Sequence, residues 1–133
     1  MSAMVVVTAL CVASLVLVGT GQAFAQDPPR AEVIAKNLAQ NVLGEGTVRW
    51  VRVSSSGHEI DIAWDAVLYR AAHTSARNRE QLRGEAELAT GSIMSVMKPA
   101  VIRYNILLGK RTIAQGRRTW DGFTITYAKD LGG

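Results

Sequence analysis

Only one cysteine occurs in the chain, Cys11, and it lies inside an apolar run near the start. If that run is removed, no thiol is left, which excludes disulfide staples, thiolate metal sites and thiol catalysis from the remaining domain. Histidine is equally scarce. His58 and His73 are the two present, and both fall in expected loops. Neither has a second histidine or a carboxylate at the tight spacing that metal sites use, so no metal is expected. No phosphate-binding glycine loop, calcium-binding loop or dinucleotide fingerprint occurs, and no cofactor is implied. The serines of Ser54-Ser55-Ser56-Gly57 precede His58, but they lack a nucleophile-elbow pattern and turn chemistry accounts for them.

Charge is absent from one stretch in particular. No acidic or basic residue precedes Asp27, and Met4 to Val18 is an unbroken run of apolar and small residues. Gly19 to Gln22 then loosen the run, and Ala23-Phe24-Ala25 supplies the small-x-small pattern of a signal-peptidase site. Residues 1–25 are therefore expected to be a cleaved export signal, with the domain beginning at Gln26 in the periplasm or outside the cell. The amino-terminal segment departs from the usual pattern in having no Lys or Arg. An uncleaved N-terminal anchor is the alternative, but it would have to recruit residues up to Ala25 to reach the ~20 that a bilayer core needs. Cys11 follows Leu10 in mid-run, which does not suit lipidation. No transmembrane segment is expected after the signal.

About 108 residues then remain, enough for one domain that buries its core without metal or disulfide. The net charge is +4 and lies wholly in this part, and most of the basic groups are arginine.

Apolar periodicity gives the element order. Ala31, Ile34, Leu38 and Val42, flanked by Val33 and Leu43, form one stripe of a helix from Arg30 to Leu43, which Gly44 and Gly46 stop. Thr47 to Val53 reads as a strand. Ile60, Ile62 and Trp64 alternate with Asp61, Ala63 and Asp65 in a second strand, which could extend through Val67 to Tyr69. Asn78 and Gln81 resemble a capping box, predicting a helix from Arg79 to Met97 with Leu82, Ala86, Ala89, Ile93, Val96 and Met97 inward. Pro99 ends it. Three strands follow, divided by turns at Gly109-Lys110 and Asp121-Gly122. The prediction is an α+β fold in the order α-β-β-α-β-β-β, with about five mainly antiparallel strands and two helices on one face.

Three sets of residues are candidates for function. Arg49, Arg52, Arg103, Arg111, Arg117 and Arg118, with Lys110 and Trp120, would form a positive sheet surface if their strands adjoin. Its partner would be an acidic envelope protein, a polysaccharide or a lipid headgroup; thin aromatic interleaving argues against nucleic acid. Gly84, Gly91 and Ser95 stack on the helix face nearly opposite the apolar stripe, where a second backbone could approach closely. Glu59, Asp61 and Asp65 line one strand face, and paired carboxylates can share acid and base roles. The sequence thus predicts an exported binding or assembly module without catalysis. The alternatives are a small carboxylate-dependent hydrolase using Asp61 or Asp65, and a self-assembling envelope component packing through its glycines.

Overall fold

The computed structural model describes residues 27–131. The expected signal, its cleavage site and Cys11 lie outside these. Two helices and five strands follow one another in the expected order: α1 (Pro28–Leu43), β1 (Val48–Val53), β2 (Glu59–Asp65), α2 (Ser75–Met97), β3 (Val101–Leu108), β4 (Arg111–Thr119) and β5 (Gly122–Tyr127). A 3-10 turn, Lys129–Leu131, closes the described chain. The sheet runs β1-β2-β3-β4-β5. All neighbours are antiparallel except β2 and β3, which are parallel because α2 carries the chain back between them. The fold is α+β.

Both helices begin earlier than their apolar periodicity suggests, each because of a polar cap. Asp27 caps α1, its carboxylate accepting from the Arg30 amide at 3.3 Å. Pro28 and Pro29 take the first helical positions, where a missing N–H costs nothing and a fixed φ helps. In α2 the cap is Thr74, whose hydroxyl accepts from the Arg77 amide at 3.1 Å. Asn78, the expected cap, lies buried one turn inside. It clamps the preceding loop instead, accepting from the Arg70 amide at 3.1 Å and donating to the Arg70 carbonyl at 2.9 Å. The second strand stops at Asp65 rather than running on to Tyr69.

The buried faces also differ in detail. In α1 the fully covered residues are Ala31, Ala35, Ala39 and Leu43, while Val42 is exposed and Ile34 and Leu38 sit at the margin. Three alanines let the helix lie close against α2 and β1, and the longer side chains splay to either side. In α2, Leu82, Ala86, Ala89 and Ile93 are buried as expected. Val96 is exposed, and Glu85 and Thr90 take inward positions that the apolar stripe omitted. Against these helices the sheet presents Ile60, Ile62, Trp64, Ile102, Tyr104, Ile106 and Ile113, all essentially inaccessible. Each such side chain contributes about 1.5–3 kcal/mol by leaving water.

An aromatic row crosses that inner face. The rings of Trp64 and Tyr104 stack at 5.7 Å, and those of Tyr104 and Phe123 at 5.9 Å. Tyr104 in β3 can lean across β4 toward β5 because its partner on β4 is Gly116, which carries no side chain. The Tyr104 hydroxyl then donates to the Thr124 carbonyl at 2.6 Å, and burial pushes its pKa well up.

Candidate functional site

The face of the sheet away from the helices collects the acidic strand residues and several of the arginines. Arg103 bridges Glu59 at 2.6 Å and Asp61 at 3.2 Å, and Arg49 binds Asp65 at 2.8 Å. The bonds to both carboxylates hold the Arg103 guanidinium more firmly protonated than usual. Asp61 and Asp65 are therefore each engaged by a guanidinium on the outer face of the sheet. Arg52 lies over the Trp50 ring at 4.8 Å, and Arg117 sits opposite Arg103 on β4. Among the described residues neither Arg52 nor Arg117 forms an ion pair. They are three strands apart, roughly 14 Å at the usual strand spacing.

The remaining predicted surface residues are dispersed. Arg118 points to the helix side, where its guanidinium donates to the Glu87 carbonyl at 3.2 Å and lies 5.9 Å from the Phe123 ring centre. Arg117 and Arg118 thus face opposite ways, as adjacent strand residues must. Arg111 binds both oxygens of Asp130 at 2.9 Å. Lys110 occupies the β3–β4 turn, and Trp120 the β4–β5 turn, where it is 83% exposed. The turn is Trp120-Asp121, one residue before the expected pair. His58 lies exposed beside the Ser54–Gly57 turn, whose hydroxyls bond one another and the His58 and Glu59 amides. His73 is half-buried in the loop before α2.

Along the crest of α2, Gly84 and Gly91 occupy different surroundings. A side chain at Gly91 would meet the Arg118 guanidinium at 3.5 Å, and the Ser95 hydroxyl donates to the Ser92 carbonyl at 3.0 Å. Gly84 faces open space, with nothing within 4 Å of where its Cβ would stand. It forms a notch in a groove of about 270 Å³ between the end of α1, the segment after β2, and α2. Val42, Leu68 and Leu88 line this groove and are 42, 44 and 61% exposed. Three large apolar side chains left in water around one concavity are unusual for a domain this small.

Glu85 supports the groove from below. Its carboxylate accepts from Trp64 Nε1 at 3.2 Å, from the Val67 amide at 3.0 Å and from the Leu68 amide at 2.7 Å. Burial pushes its pKa above the ordinary carboxylate value, while these donors pull it back in part. The carboxylate thereby pins Val67 and Leu68 against α2, and with them one wall of the groove. Sequence reasoning passed over Glu85, although its spacing carried the signal: it shares the inward face of Leu82, Ala86 and Ala89 at three- and four-residue steps.

Compared with protein-family models, with curated proteins and with solved structures, the chain matches none. Among the described residues no helix is long and apolar enough to cross a membrane, and no group of side chains is arranged to hold a metal ion.

Proposed function

We propose that this is an exported binding module that captures apolar side chains of an extracytoplasmic protein partner in the groove beside Gly84. The observation that carries the reading is the convergence of exposed Val42, Leu68 and Leu88 on one notch that a buried carboxylate holds in shape. At about 270 Å³ the groove suits one or two side chains rather than a larger organic ligand. Residues 1–25 supply the export signal in this reading.

Gly84 provides the test. A Cβ in its place meets nothing within 4 Å, and leucine there extends into the groove and removes a helix-interior glycine, so stability should hold or rise by up to about 1 kcal/mol. The hydrophobic dye anilinonaphthalene sulfonate should fluoresce on the native protein and lose that signal in Gly84→Leu. Equal signals from both proteins would remove the groove as the site. The arginine-bearing outer face is a second reading, for an acidic partner, favoured by Arg52 stacked on Trp50 and by Arg117 remaining outside ion pairs. Under that reading Gly84→Leu leaves partner capture intact, and charge reversal at Arg52 and Arg117 abolishes it.

A further inference from the structure

The two edges of the sheet are finished differently. β1 is protected. Arg49 and Arg52 stand on it, a bulge between Val48 and Trp50 interrupts it, and α1 covers it. Two of its amides are already used by that helix: Val48 donates to Gln40 Oε1 at 3.2 Å and Val53 to Glu32 Oε2 at 3.3 Å. These are the devices by which sheets refuse a further strand. β5 has none of them. Gly122-Phe123-Thr124-Ile125-Thr126-Tyr127 contains no charge, no proline and no bulge, it is rich in strand-favouring residues, and among the described residues no strand lies beyond it.

The sequence of this edge is complementary to itself. We infer that β5 pairs antiparallel with β5 of a second copy, about a two-fold axis through Ile125. In that register Ile125 meets Ile125, and Thr124 of each copy meets Thr126 of the other. Phe123 meets Tyr127 twice, and Gly122 meets Ala128. At the two ends Asp121, in the turn before β5, comes opposite Lys129 of the other copy, in the 3-10 turn after it, so the charges flanking the paired strands are of opposite sign. Aromatic pairs, threonine pairs and opposite charges are the cross-strand partners that stabilise antiparallel sheets. Phe123, Ile125 and Tyr127 are the half-buried, helix-side residues and Thr124 and Thr126 the exposed ones, so the match holds on both faces. Centring the axis on Thr124 instead would set Asp121 against Tyr127 and leave Lys129 beyond the ladder. The result is a continuous ten-stranded sheet with helices on one side and an isologous interface. It leaves the groove beside Gly84 open in both copies.

The test uses the exposed threonines and reads association by sedimentation of protein recovered from cells expressing the full chain. The native protein should be dimeric at micromolar concentration. Thr124→Lys with Thr126→Lys places lysine against lysine twice and should weaken the dimer about tenfold or more. Thr124→Glu with Thr126→Lys in the same chain places glutamate against lysine twice and should restore it. Thermal unfolding of both variants verifies that the monomer fold survives. A monomeric native protein overturns the inference, and would leave the edge to a strand from another protein. A dimer that the lysine pair does not weaken, or that the glutamate–lysine pair does not restore, overturns it equally. Gly84→Leu should leave the dimer unchanged, so failure here is distinguishable from failure of the groove.

Discussion

Glu85 stands where α2 would otherwise place an aliphatic residue. Its carboxylate satisfies the indole N–H of buried Trp64 and two amides of the segment after β2. Leucine there would strand three donors at about 1–3 kcal/mol for each that stays dry, so Glu85→Leu should lower stability by roughly 3 kcal/mol or more in denaturant unfolding. The same residue confers a pH dependence. Its pKa is raised on folding from the ordinary 4.5, so the native state holds the proton more tightly than the unfolded chain does. Stability from this group is therefore full below 4.5 and declines as pH rises through the raised native value. Glu85→Gln has no such titration, and its stability profile should lack that decline. A wild-type profile that rises over the same interval relative to Glu85→Gln would contradict the assignment.

Among the elements, β4 depends on a missing side chain. A Cβ at Gly116 would stand 2.0 Å from the Thr124 carbonyl oxygen and 2.6 Å from the Tyr104 hydroxyl. One atom there would push β5 away and break the bond from Tyr104 to Thr124. Gly116→Ala should cost roughly 2–4 kcal/mol, combining overpacking with a lost buried hydrogen bond. Tyr104→Phe should lose only the hydrogen bond, about 1 kcal/mol. Thermal unfolding of the two variants gives the comparison, and equal losses would show that crowding plays no part. In sequence, Gly116 reads only as a glycine in a strand. That it faces a tyrosine phenol from the neighbouring strand is a consequence of register, which no local pattern expresses. The helix starts illustrate the same division. Thr74 and Asn78 are both competent caps by residue type. Asn78 became a loop clamp because the chain returns past it at Arg70, a contact between segments that periodicity cannot register.

For the whole molecule, compartment and assembly each have one decisive measurement. Protein recovered from outside the cytoplasm should begin at Gln26 by intact mass; a species there that retains Met1 would overturn cleavage and the domain limits, and a chain found only in the cytosol with Met1 intact would overturn export. A ten-stranded dimer would present two grooves on one side of one sheet, which strengthens capture of a partner that carries more than one apolar segment.

Element order, fold class and the buried strand faces followed from sequence alone, because alternation at period two and recurrence at three or four record which side of each element must leave water. The alternation of Ile60, Ile62 and Trp64 with Asp61, Ala63 and Asp65 left little choice. Tertiary structure decided what those elements do together. It divided Arg117 from Arg118, spent Arg49 and Arg103 on the strand carboxylates, and assembled Val42, Leu68, Gly84 and Leu88 from three separate segments into one groove. Periodicity is a property of one segment and its solvent, whereas a site is a property of which segments meet.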